Sequence, residues 1–234
     1  MQPEIKQASS VDPQEVEKFA AMAEEWWDEA GKFRPLHRIN PLRIGYIRDQ
    51  AAAHFRCEAD SLKPLAGKTL LDVGCGGGLL CEPMTRLGAA VTGIDAAEKN
   101  IGVASLHAEK MGLSIDYCAT SVEALAAKGV QFDIVLALEI VEHVADVPAF
   151  MKAVCALVKP GGLLFMSTLN RTPKAFALAI VGAEYLLRWL PRGTHDWKKF
   201  LKPHELHVHL RTGDLTVLDQ KGIVCLLYTS DAAD

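Results

Sequence analysis

The sequence has little that would tie it to an oxidising compartment, a nucleic acid or the interior of a bilayer. Its six cysteines never stand at C-x-x-C spacing and are scattered through apolar runs. They read as reduced thiols rather than a disulfide frame or a zinc site. The net charge is −4, so no broad basic surface for phosphate backbones is expected, and no nucleic-acid partner. The longest apolar run is too short to span a bilayer. No signal-peptide pattern opens the chain, its acidic start lacks the Arg/Ser bias of a transit peptide, and no internal repeat is visible. What remains is a cytoplasmic chain of 234 residues, half of them hydrophobic, sized for one α/β domain with a sizeable core.

What is present is organised around Leu70-Leu71-Asp72-Val73-Gly74-Cys75-Gly76-Gly77-Gly78. Apolar residues lead into a glycine run and Leu79-Leu80 follow, the pattern of a buried strand, a tight turn and a helix start. Glycine at 74, 76 and 78 lets the backbone turn sharply and lets a ligand lie against it. A second apolar strand, Ala90–Ile94, ends in Asp95, placed to accept hydrogen bonds from a ribose. The spacing is G-x-G-x-G rather than the dinucleotide G-x-G-x-x-G, and Asp72 would repel a diphosphate. A carboxylate there suits a ligand with a cationic amino-acid end. The loop resembles the glycine motif of class I S-adenosylmethionine-dependent methyltransferases. The rival reading on the same sheet is an NAD-linked oxidoreductase.

Around this unit the chain alternates elements. Residues 1–11 read as a loose tail. Asp12-Pro13-Gln14-Glu15 starts a helix that runs to Gly31 and carries Trp26 and Trp27. Residues 33–43 read as a partly buried basic loop, with Arg34, His37, Arg38 and Arg43 among apolar residues and two prolines. An arginine in it could pair with the carboxylate of a methionine moiety. A second helix covers Ile44–Phe55. A third strand spans Ser114–Cys118, and Ser121 and Val122 beyond it are expected at the adenine. Phe132–Leu138 is a central strand that runs into Glu139-Ile140-Val141-Glu142-His143.

If that pentad opens a helical turn, Glu139, Glu142 and His143 share one face. They could bind a divalent cation, magnesium or zinc. Alternatively His143 is a general base for a hydroxyl proton, or the pair is structural. Asp146 starts a further helix, Lys159–Gly162 is a turn, Leu163–Leu169 a fifth strand, Pro203–His209 a helix and Leu215–Asp219 a sixth strand. Between them, residues 171–202 carry seven Lys or Arg against Glu184 and Asp196, a net +5. A basic, apolar lobe on an acidic body suggests an anionic membrane surface, with Arg188, Arg192, Lys198 and Lys199 at the headgroups. The competing reading is a lid over the site.

W-W-D-x-x-G-x-F-x-P-L-H-R-I-N-P-L-R, L-D-V-G-C-G-G-G, E-x-x-E-H-V, K-P-G-G, S-T-L-N-R, V-G-A-E-Y, G-T-H-D and K-K-F-x-K-P occur in that order. Over roughly residues 12–222 the chain resembles the bacterial ubiquinone biosynthesis O-methyltransferases, which methylate catechol-type hydroxyls of polyprenylated rings. The resemblance implies that Arg43, Gly74, Asp95 and Leu138 contact S-adenosylmethionine.

Combining both readings, Asp72, Gly76, Ser121 and Val122 join the cofactor set, and Glu142 and His143 are the catalytic pair. The expected fold is α/β: a doubly wound, mainly parallel Rossmann-like sheet with helices on both faces and its last strand missing or replaced, since residues 223–234 depart from the family. A helical cap over 1–60 precedes a methyltransferase domain over 61–234. The expected substrates are 2-polyprenyl-6-hydroxyphenol and 3-demethylubiquinol. The protein would sit on the cytoplasmic face of the inner membrane, in a ubiquinone-biosynthesis assembly. The alternatives are a soluble small-molecule substrate or a non-catalytic, lipid-bound partner.

Overall fold

Strand β1 (Thr69–Val73) forms the middle of a five-stranded sheet. With β2 (Ala90–Asp95), β3 (Asp116–Ala119), β4 (Phe132–Leu138) and β5 (Val158–Ser167) it gives the order β3-β2-β1-β4-β5, parallel at every pairing. The computed structural model describes residues 9–57, 61–177, 180 and 196–223.

Helices α1 (Pro13–Ala20), α2 (Arg34–Phe55), α3 (Cys81–Arg86), α4 (Glu98–Lys110), α5 (Val122–Ala126), α6 (Val147–Ala156), the single turn α7 (Pro173–Ala175) and α8 (Pro203–Thr212) complete the elements. The period of two splits the core. Leu71, Val73, Val135 and Ala137 pack with Phe150, Met151 and Val154 of α6. Leu70, Ile134 and Leu136 pack with Ile47 and Ala51 of α2 and Met84 of α3. The sheet is thus covered on both faces, as the apolar runs of β1 and β4 require.

Four expected boundaries are corrected. The first helix stops at Ala20 rather than Gly31, and a short 3₁₀ turn, Ala23–Glu25, follows. Neighbouring residues on an α-helix point about 100° apart. The break lets Trp26 pack on Gly76 and donate to Asn100 of α4 while Trp27 donates to the Gly77 carbonyl. The basic stretch at 33–43 is helical, not a loop. Pro35 lies in the first turn, where no amide bond is lost, and Pro41 is tolerated inside the helix. Asn40, Arg43, Ile47 and Ala51 recur at helical spacing and are all buried, so packing overrides the proline.

The Lys159–Gly162 turn is absorbed into β5. Phe132 pairs with Val158 but Ile134 pairs with Leu163, so the extra residues bulge out within the strand. Leu215–Asp219 is irregular rather than a sixth strand. It has no ladder partner among the described residues, and Leu218 is 72% exposed. Most of the lobe at 171–202, including Arg188 and Arg192, lies outside the described residues.

Candidate active site

The glycine loop is shaped by what presses on it. Gly74, Gly76 and Gly78 all adopt positive φ. The amides of Gly74 and Cys75 both donate to the carbonyl of Ile94, at 2.8 and 2.9 Å, which ties the loop to the end of β2. A Cβ on Gly74 would lie 2.1 Å from Ile140 Cδ1, and one on Gly76 would lie 2.4 Å from the Trp26 ring. The loop therefore tolerates no side chain at either position.

Beneath it, Asp72 is buried, and burial pushes its carboxyl up to about 6. The nearby Asp95 charge adds to that rise, while the Cys81 thiol, 3.3 Å from Asp72 Oδ2, and Arg43 oppose it. Asp95 caps β2. Its Oδ1 accepts from the Ala97 amide (2.8 Å) and Asn100 Nδ2 (3.2 Å), and its Oδ2 from the Gly76 amide (3.0 Å). A carboxylate has about four acceptor sites. Three are taken by the chain, which leaves one for a ribose hydroxyl. Asn100 is buried against Trp26, whose Nε1 donates to Asn100 Oδ1 at 3.0 Å.

Beside the loop, where Ile140 meets Gly74, the pentad after β4 is not helical as expected. Glu139 has φ 52°, and only Val141–His143 form a 3₁₀ turn. The three acid and imidazole groups therefore do not share a face. Glu139 Oε1 accepts from Arg43 Nη2 and from Ser167 Oγ, both at 2.7 Å. His143 Nδ1 lies 2.9 Å from Glu15 Oε2 on α1. Both carboxylate oxygens of Glu142 are buried with no hydrogen-bond partner in ordinary geometry, although Thr168 and the Leu169 backbone are near enough to favour its charged form. Burial, with Glu139 adding, pushes the Glu142 carboxyl well above the usual range.

One cavity of ≈1540 Å³ unites these groups. Arg43, Asp72, Gly74, Asp95, Ser121, Val122, Leu138, Glu139, Glu142 and His143 all line it. Gly76 does not, because Trp26 covers it. Ser121 also caps α5 by accepting from the Ala124 amide at 3.2 Å. Glu15, Trp26 and Asn100 line the cavity as well and were not among the expected site residues.

Residues 46–220 match the family model described as a methyltransferase domain. The chain is 57% identical over 220 residues to the ubiquinone biosynthesis O-methyltransferase of Cereibacter sphaeroides, covering 94% of this chain and 89% of that protein. It is 58% identical over 218 residues to the enzyme of that name from Bartonella bacilliformis, covering 93% and 88%. The chain belongs to the ubiquinone biosynthesis O-methyltransferases. It carries out S-adenosylmethionine-dependent O-methylation in ubiquinone biosynthesis. The fold is also that of magnesium protoporphyrin IX methyltransferase from Synechocystis PCC 6803 with bound SAM. There the TM-score is 0.64 at 15% identity, over 95% of each chain.

The residues fit that methyl donor. Arg43 Nε is buried with no partner in the structure, which suits a carboxylate it has yet to meet. Asp72 offers negative charge in the same cavity. A divalent cation fits less well. Among the described residues, no three His, Cys, Asp or Glu side chains are grouped as a cation site. The expected set of Glu139, Glu142 and His143 is pulled apart by the turn and by Arg43.

Proposed function

We propose that the substrate hydroxyl is one of a catechol pair on a polyprenylated phenol or quinol, of the kind found in 2-polyprenyl-6-hydroxyphenol and 3-demethylubiquinol. The observation that carries this reading is the buried, unpartnered carboxyl of Glu142 beside the imidazole of His143 on one cavity wall. A buried polar group without a partner marks where a ligand hydroxyl belongs. A carboxyl kept neutral by burial donates a hydrogen bond. Glu142 then holds one hydroxyl of the pair, and His143 takes the proton of the other as it becomes the nucleophile.

When bound, S-adenosylmethionine supplies the methyl group from its sulfonium. On the cofactor side, Asp72 balances the ammonium end, Arg43 meets the carboxylate, and Asp95 accepts from the ribose. Gly74 and Gly76 shape the backbone it lies against, Ser121 and Val122 flank the adenine, and Leu138 contacts the cofactor. The walls toward Leu42, Leu206, Leu210 and Leu218 are apolar and give a prenyl tail a place to lie. Substrate selectivity tests the reading. A short-chain prenyl catechol should turn over at least tenfold faster than the matching lone phenol, and Glu142→Gln should narrow the gap. Equal rates on both would reject it.

A second reading keeps a magnesium or zinc ion at Glu139, Glu142 and His143, favoured by the same unpartnered Glu142 oxygens. It requires Glu139 to leave Arg43 and Ser167. Loss of turnover in excess chelator, with recovery on adding the metal, supports it.

No helix among the described residues is long and apolar enough to cross a membrane. We place the protein as a peripheral guest on the cytoplasmic face of the inner membrane, drawn by its lipid substrate and the basic residues of 171–202, with a ubiquinone-biosynthesis assembly as the partner class. Flotation with anionic vesicles at low salt tests this placement; protein that stays soluble contradicts it.

A further inference from the structure

Glu15 stands at the third position of α1, where sequence pattern explains it as a helix-start acid. In the fold it does something else. Its Oε2 lies 2.9 Å from His143 Nδ1, although 128 positions separate the two residues. One turn along α1, Phe19 meets the same imidazole edge-on, with ring centroids 5.0 Å apart and planes at 86°. The helix is fixed to this spot from both sides. Asp12 caps it and pairs with Lys199 at 3.1 Å. Just ahead of it, the carbonyl of buried Ser10 accepts from the Ala145 amide at 2.7 Å, two residues past His143, and the Ser10 amide donates to Glu123 at 3.1 Å.

A glutamate carboxyl is ordinarily ionised at neutral pH, and Lys18 lies 3.4 Å from the same Glu15 oxygen. A carboxylate accepts and cannot donate. The ring nitrogen facing it must therefore carry the proton, which makes Nε2 the basic nitrogen of a neutral His143.

We propose that Glu15 is a positioning residue for the methyl transfer: by accepting from Nδ1–H it fixes the tautomer and direction of the His143 imidazole. This rests on the reading of His143 as the proton acceptor. The N-terminal segment is then part of the catalytic apparatus, not only a cover over the cofactor loop. Where a carboxylate orients a metal-bound imidazole its loss costs roughly 10–100-fold, and the same order is expected here.

The test uses the full chain, S-adenosylmethionine and a short-chain prenyl catechol, with kcat, KM and S-adenosylhomocysteine affinity measured for Glu15→Ala, Glu15→Gln, His143→Gln and the Glu15→Ala/His143→Gln pair. Glu15→Ala should lower kcat by roughly 10–100-fold, with KM and cofactor affinity little changed. Glu15→Gln, whose amide can turn to donate to Nδ1 and select the other tautomer, should not recover the loss. In the His143→Gln background, Glu15→Ala should do nothing further to the single-turnover rate. Imidazole ¹⁵N shifts of His143 should report the Nδ1–H tautomer in the parent and a tautomer mixture in Glu15→Ala.

If Glu15→Ala lowers the rate equally with and without His143, its role is structural and the proposal falls while His143 stands. The proposal falls in the same way if His143→Gln silences the enzyme but Glu15→Ala leaves rate and tautomer unchanged. Wild-type turnover in His143→Gln removes the base reading itself, and this proposal with it.

Discussion

Trp26 holds Asn100, and Asn100 holds Asp95. The indole Nε1 donates to Asn100 Oδ1 at 3.0 Å across 74 residues of chain, and Asn100 Nδ2 donates to Asp95 Oδ1 at 3.2 Å. The N-terminal segment thereby sets the acid proposed to receive the cofactor ribose. Trp26→Phe keeps most of the ring area and removes only the donor. It should weaken S-adenosylhomocysteine binding by about 1 kcal/mol, the net size of one buried hydrogen bond. Calorimetry reads this directly, and unchanged affinity would show that Asn100 needs no help.

Gly74 and Ile140 interlock in the same way. Gly74→Ala should destabilise the protein and abolish cofactor binding, because its Cβ meets Ile140 Cδ1 and its φ is +71°. Ile140→Val removes that Cδ1. The double variant should regain much of the lost melting temperature and keep a residual cost of about 1–2 kcal/mol from the left-handed backbone. A double variant no better than Gly74→Ala would place the clash elsewhere.

Asp72 links binding to pH. Its folded pKa of about 6 is raised above the ordinary value of 3.8, so the neutral acid is the favoured buried form. In the free protein this group's contribution to stability is greatest below about pH 4 and is lost as pH rises through 6. Binding an ammonium requires the ionised form. S-adenosylhomocysteine affinity should therefore fall by up to about tenfold per pH unit below 6 and level off above it. Asp72→Asn should bind weakly and without that slope. A parent protein with flat affinity from pH 5 to 7 would move the ammonium away from Asp72.

Much of this site was legible in the sequence because its parts are local. The glycine loop, Asp72 and Asp95 follow from a strand, a turn and a strand read in order, and all but Gly76 of the expected residues line one cavity. Gly76 was out of reach because its cover, Trp26, comes from 50 residues away. Glu15 and Asn100 were invisible for the same reason: each matters through a partner distant in sequence, and a local pattern explains Glu15 as a helix start. The shape of the pentad failed differently. Helical spacing put Glu139, Glu142 and His143 on one face, but Arg43 and Ser167 draw Glu139 the other way and its backbone turns left-handed. The basic stretch at 33–43 read as a loop because two prolines outweighed, locally, a buried stripe that only the sheet makes worthwhile.

The proposed arrangement brings cofactor and hydroxyl into one cavity, with the glycine loop holding the first and the Glu142–His143 wall deprotonating the second. Its most direct test is methyl transfer from S-adenosylmethionine to a short-chain prenyl catechol by the parent and by His143→Ala, with S-adenosylhomocysteine affinity measured on the same samples. His143→Ala should lose roughly 10²–10⁴-fold in kcat while its cofactor affinity stays within about twofold of the parent, since all the proposed cofactor contacts but Leu138 lie on other elements. Parental turnover in His143→Ala, or a rate that falls only as far as cofactor affinity falls, would contradict it.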